Sequence, residues 1–177
     1  MSDRSLTLLL GAESLLGPRS GIGRMTWQIA HVMRDDPRVS DVRLLIGAKS
    51  EPVADIDTLA KRRKPLRTRL SLRARIVHHV PPLLALRRVV LRQRLARHLA
   101  AVLPSGRDGA VYHEPNMIAR PYDGTTMISI NDLSWHHHRD FHPADRIAWI
   151  ERGLPRSLKQ ARRVVAISEF TKSEIVR

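Results

Sequence analysis

Leu6-Thr7-Leu8-Leu9-Leu10, a short and almost wholly apolar run near the start of the chain, constrains the fold more than any other stretch. A strand with water on one face alternates apolar and polar side chains. A continuous run suits a strand buried on both faces, as in a parallel sheet covered by helices. Gly17-Pro18-Arg19-Ser20-Gly21-Ile22-Gly23-Arg24 follows, then a helical stretch over about 23–34 in which Met25, Ile29, Val32 and Met33 share one face. Similar reasoning predicts strands near 42–47, 110–113, 126–130 and 163–167, and helices near 83–103, 144–151, 155–161 and 169–176. Strands alternating with helices indicate an α/β domain, a parallel sheet with helices on both faces.

Ligands of such sheets bind at the carboxyl ends of the strands, and Gly21, His113, Asn131 and Ser168 fall at those ends. Strand, glycine turn and helix aim backbone N–H groups and a helix N-terminus at a phosphate, with glycine permitting close approach and positive φ. The spacing is not G-x-G-x-x-G, which weighs against a nicotinamide cofactor. A plain strand-to-helix turn has the same composition, so the loop alone leaves both readings open.

With 177 residues the chain suits one α/β domain with a sizeable core better than two. It has no cysteine, which excludes a disulfide framework and thiolate metal sites. Leu6 to Leu10 is too short for a secretory signal, and no window approaches the ~18 to 20 apolar residues of a membrane-spanning helix. The chain is therefore expected to be soluble or peripheral.

The net charge is +14, and its location matters more than its size. From Thr58 to Arg107 there are fourteen Lys or Arg residues and no acid; the other 17 basic residues balance the 17 acidic ones. The segment divides at Pro81-Pro82. Lys61-Arg62-Arg63-Lys64 and the arginines to Arg75 lie before it, and an amphipathic helical pattern from Leu83 to Leu103 lies after it. In that pattern Leu84, Val90 or Leu91, Leu95, Leu99 and Val102 repeat at helical intervals among Arg87, Arg88, Arg92, Arg94 and Arg97. Three readings remain open. The helix packs on the core with a solvated basic face, or the segment docks on an anionic membrane, or it neutralises nucleic-acid phosphates. Stacking aromatics and known DNA-reading motifs are missing, which disfavours nucleic acid. For membrane docking the residues to test are Arg62, Arg63, Arg87, Arg88, Arg92 and Arg94.

His136-His137-His138 and His142 lie close together, with His113 a further candidate. Three consecutive histidines cannot all point one way, and no i, i+4 pair with a carboxylate base accompanies them, so no metal is expected. Ser168-Glu169-Phe170-Thr171 reads as a capped helix start, Ser168 bonding to backbone N–H groups beyond it. Nucleophilic catalysis finds no Gly-x-Ser-x-Gly elbow.

Taken together, Gly21-Ile22-Gly23-Arg24, Tyr112-His113-Glu114-Pro115-Asn116, Asn131-Asp132 after an apolar strand, and Ser168-Glu169-Phe170 resemble the N-terminal half of the group-1 (family 4) glycosyltransferases. The resemblance covers residues 6 to 34 and 111 to 176. It implies one Rossmann-like domain of a GT-B fold, the acceptor-side half of a retaining, mannosyltransferase-like hexosyltransferase. The co-substrate would be a nucleotide-diphosphate sugar, with no further cofactor. Partners would be a glycan or lipid-linked acceptor, an anionic membrane surface and a C-terminal donor-binding domain.

The setting would be bacterial surface polysaccharide or lipopolysaccharide assembly at the cytoplasmic face of the cell membrane. Gly21, Gly23, Arg24, His113, Asn116 and Ser168 become candidates for donor or acceptor binding, and Asn131 and Asp132 for catalysis. The family usually places a histidine where this chain has Asn131, so any role needing an imidazolium falls away; an amide still bonds to a sugar hydroxyl. No counterpart of the second domain's paired glutamates is present. Residues 1–177 are therefore expected to be a single N-terminal domain, inactive alone. A non-catalytic basic module for membrane or nucleic acid is the alternative.

Overall fold

The computed structural model describes residues 6–16, 20–61, 81–103 and 109–176. Among them, one sheet contains β1 (Leu6–Gly11), β2 (Val39–Ile46), β3 (Lys49–Pro52), β4 (Ala110–Glu114), β5 (Thr125–Ile130) and β6 (Arg163–Ala166). Its order is β3-β2-β1-β4-β5-β6. Every neighbouring pair is parallel except β2 and β3. The helices are α1 (Gly21–Arg34), α2 (Ile56–Lys61), α3 (Pro81–Val102), the single turn α4 (Ser134–His137), α5 (Ala144–Gln160) and α6 (Glu169–Val176). This is the expected Rossmann-like α/β arrangement. The chain runs from β1 outward to β2, then returns to β4 on the other side of β1, so the strand order reverses at the β1/β4 seam.

Burial on both faces of β1 explains its apolar run. Leu8 and Leu10 pack with Val42, Leu44 and Ala30 of α1. Leu9 faces the other way, into a cluster with Leu45, Tyr112 and the α3 leucines Leu95 and Leu99. Those two leucines are fully buried, four residues apart on one stripe of α3, while Val90 is exposed. A third cluster joins Ile128 and Ile130 of β5 to Ile150 and Leu154 of α5.

Three details depart from the sequence reading. β3 and α2 were not expected. β3 (Lys-Ser-Glu-Pro) has no apolar run, and its pairing comes from β2 across a turn in which Gly47 takes φ +63°. As an edge strand it tolerates Pro52. The two helices expected at 144–151 and 155–161 are one, with Pro155 inside it. Proline removes the N–H that would bond to the carbonyl of Glu151. Nearby side chains bond to neighbouring carbonyls: Arg152 Nε donates to Ala148 O (2.8 Å) and Ser157 Oγ to Gly153 O (3.2 Å). The third departure is α1, which begins at Gly21, earlier than expected.

Gly17, Pro18 and Arg19 of the glycine loop, and Arg62 and Arg63, lie outside the described residues. Among the described residues no helix is long and apolar enough to cross a membrane. The far edge strand β6 leaves Val164 and Val165 partly open, with Ile167 55% and Phe170 72% exposed just beyond it.

Candidate functional site at the carboxyl edge of the sheet

Because β1, β2, β4, β5 and β6 run the same way, their carboxyl ends share one edge, and the start of α1 follows β1 there. Ser20 caps α1: its Oγ accepts the Gly23 N–H at 3.1 Å. The two glycines differ in what they do. A Cβ on Gly23 would stand 2.8 Å from the Ser14 carbonyl, so this position is glycine for packing against the 3-10 turn Glu13–Leu16. A Cβ on Gly21 would meet nothing within 4 Å, so this first position of α1 is exposed and open. Arg24 is exposed on the first turn of α1.

The ends of β4, β5 and β6 are tied into one hydrogen-bonded row. Asn131 Nδ2 donates to the Pro115 carbonyl at 3.3 Å, and the Asn131 carbonyl accepts from Thr171 Oγ1 at 3.3 Å. Ser168 caps α6 as expected, its Oγ accepting the Thr171 N–H at 3.1 Å. Asp132 is exposed and bonds locally, to the Ser134 N–H at 3.0 Å and the Ser134 hydroxyl at 2.6 Å. A recess of about 380 Å³ opens past Ile130 at the end of β5, walled by Leu133, Trp135, Leu154 and Ile175 and rimmed by His136, His137 and Glu174.

At the seam itself lies a residue that sequence reasoning missed. Glu114 ends β4 with its carboxyl buried over Gly11, so close that a Cβ there would stand 2.6 Å from Oε2. Tyr112 Oη donates to that Oε2 at 2.7 Å, and the Asn116 N–H donates to Oε1 at 3.1 Å. Burial pushes the Glu114 carboxyl up to about 7, although both hydrogen bonds favour its charged form. The Tyr112 phenol is driven well above its usual range by burial and by the Glu114 charge. Its oxygen also accepts the Arg120 N–H at 3.3 Å.

The Arg120 guanidinium bridges Glu13 and the Gly47 carbonyl, while Glu13 accepts the Gly47 N–H at 2.8 Å. Burial draws Arg120 down to about 10, still far above neutrality, so it stays charged. The signal available in sequence was an acid two residues after a buried tyrosine, on the same face of a strand.

Glu114 also reaches the Asn131 row. It holds the N–H of Asn116, next to the Pro115 whose carbonyl accepts the Asn131 amide. Met117 follows with φ +44°, buried, its N–H bonded to the Ser129 carbonyl at 3.0 Å. A non-glycine residue at positive φ stores backbone strain that the surroundings must hold.

His113 is not an open cleft residue: it is buried, Nε2 2.8 Å from Ser129 Oγ, and burial lowers it to about 4, so it is neutral near pH 7. The other histidines diverge. His137 meets Glu174 at 3.0 Å and His142 meets Ser134 Oγ at 2.9 Å. Among the described residues no group of three or more His, Asp or Glu comes together around a metal-sized space. Of the expected membrane-facing arginines, Arg92 is paired with Asp123 at 2.6 Å and Arg94 is exposed. Arg87 and Arg88 belong to α3.

The chain is similar to the O-antigen chain mannosyltransferase B of Escherichia coli, 24% identical over 174 residues that cover 97% of this chain and 43% of that protein. It therefore spans less than half the length of the curated relative it matches. No family model and no solved structure matches.

Proposed function

We propose that this chain is the acceptor-side domain of a retaining hexosyltransferase. The enzyme would move a mannose-like sugar from a nucleotide diphosphate to a glycan or lipid-linked acceptor of bacterial surface polysaccharide. The observation that carries this reading is the composition of the carboxyl edge. An open, capped helix N-terminus suits a phosphate-bearing donor, and an amide on the β5 end suits a sugar hydroxyl. Likeness to a mannosyltransferase over nearly the whole chain supports it independently.

In this reading Asn131 contacts the transferring sugar or the acceptor hydroxyl. Gly21, Arg24, Asn116 and Ser168 line the cleft, while Gly23, buried against the Ser14 carbonyl, lets α1 start close beneath it. The mainly apolar recess past Ile130 receives the non-sugar part of the acceptor. Asp132 orients the turn at Ser134. His113 is a neutral support beneath the surface. Transfer needs donor and acceptor held together while water is excluded, which a second, donor-binding domain closing on this edge would supply. No metal takes part.

The test uses a protein extending through that second domain, assayed with nucleotide-diphosphate hexoses and a lipid-linked acceptor. Asn131→Ala lowers kcat more than tenfold with an unchanged melting temperature, and residues 1–177 alone give no multiple-turnover transfer. Wild-type kinetics in the variant, or turnover by the short chain, contradicts the proposal. The basic segment, including Arg62, Arg63, Arg87, Arg88, Arg92 and Arg94, docks the enzyme on the inner face of the cell membrane. Co-sedimentation should then require anionic vesicles and weaken with salt. Tighter binding to duplex DNA than to those vesicles would favour a non-catalytic nucleic-acid module instead.

A further inference from the structure

On the other side of β1 from Asn131, a groove of about 470 Å³ opens between the β2–β3 hairpin and α3. It is lined by Ile46, Ala48, Lys49, Arg94, Arg97 and His98. We propose that this groove is an anion site that takes a phosphate group, most readily a diphosphate.

Three features of the groove support this. Arg94, Arg97 and His98 stand at i, i+3 and i+4, so they share one face of α3 and converge on the hairpin opposite, where Lys49 sits. The two walls are fixed to each other: His98 Nε2 accepts the Ser50 N–H at 2.8 Å and lies 3.0 Å from Ser50 Oγ. That nitrogen is committed to the hairpin, so His98 serves as a strut between the walls. The charge comes from Lys49, Arg94 and Arg97.

Among the described residues those three cations have no carboxylate partner, whereas Arg92 is paired with Asp123 and Arg43 with Asp41. Three like charges around one space repel each other, and an anion relieves that repulsion. Phosphate fits better than a carboxylate. Its several oxygens can accept from two guanidinium forks and an ammonium at once, where a carboxylate offers only two. The groove is also roomier than a single carboxylate requires. The site stands apart from the transfer reaction proposed above, since none of its residues touches the Asn131 row.

Such a phosphate has two possible sources, a soluble ester or a lipid headgroup, and the experiment separates them. Inorganic pyrophosphate is titrated into the 177-residue chain by calorimetry and by amide NMR. Expected is saturable one-to-one binding that shifts the amides of Lys49, Ser50, Arg97 and His98. Lys49→Ala with Arg97→Ala weakens it at least about tenfold. Arg146→Ala, which removes an exposed charge on α5, changes it less than twofold. Equal weakening by the pocket variant and the Arg146 control would overturn the site in favour of diffuse attraction, and so would shifts spread evenly over α3. Circular dichroism confirms that the variants, all at exposed positions, stay folded. In the second arm, phosphatidylglycerol vesicles displaced by pyrophosphate identify a headgroup, and vesicle binding untouched by pyrophosphate and by the pocket variant identifies a soluble ester. Neither vesicle outcome rescues a pocket that fails the first arm.

Discussion

His113 and Glu114 are neighbours on β4 whose side chains leave opposite faces of the sheet, and burial moves them in opposite directions, to about 4 and about 7. Their effects on stability oppose each other. Unfolded, Glu114 titrates near 4.5; between that pH and about 7 the folded chain keeps a proton that the unfolded chain has lost. Its contribution is complete below 4.5 and is lost as pH rises through 7. Unfolded, His113 titrates near 6.5, and below that pH the unfolded chain gains a proton that the folded chain refuses until about 4. Its contribution is complete above 6.5 and is lost as pH falls through 4. From about pH 5 to 6.5 the two slopes cancel, each being at most about 1.4 kcal/mol per pH unit. Relative to the parent chain, Glu114→Gln should therefore make stability climb with pH across that window, and His113→Gln should make it fall. Thermal melts of all three proteins at several pH values decide the matter; three parallel profiles would show that burial does not govern these groups.

At the scale of elements, the first turn of α1 offers a paired comparison. Gly21→Ala adds a methyl to open space and should leave stability unchanged or raise it by up to about 0.5 kcal/mol. Gly23→Ala drives a methyl against the backbone carbonyl of Ser14 and should cost more than the ~1 kcal/mol that alanine gains in a helix. Urea unfolding of the two variants measures the difference, and equal midpoints would contradict it. In α5, Pro155 is exposed and interrupts an otherwise continuous helix, so Pro155→Ala should stabilise the chain by about 1 to 3 kcal/mol, seen as a raised melting temperature.

These elements also mark what the sequence could reveal. β1 and β5 were legible because a strand covered on both faces must itself be apolar. β3 was not, because a four-residue edge strand takes its order from its neighbour. Asn131 and Ser168 stood out as strand ends, and Ser168 as a cap. Glu114 did not, because its burial depends on Gly11, a residue about a hundred positions away that only the parallel sheet brings beside it.

For the molecule as a whole, the two sheet edges are finished differently. β3 is guarded by Lys49, by Pro52 and by α3 packed nearby, whereas β6 presents Val164 and Val165, with Ile167 and Phe170 beyond them. An exposed apolar edge invites pairing with another copy, and a net charge of +14 opposes it at a distance. Salt shortens the reach of that repulsion to about 10 Å at 0.1 M and leaves the apolar contact intact. In solutions of the 177-residue chain the osmotic second virial coefficient should accordingly be positive at low salt and turn negative as salt is raised. Val165→Lys should hold it positive throughout, and light scattering that shows the reverse trend would refute the argument. Colloidally, this chain should behave as a charge-stabilised suspension with one sticky edge, clear in dilute buffer and clouding in brine.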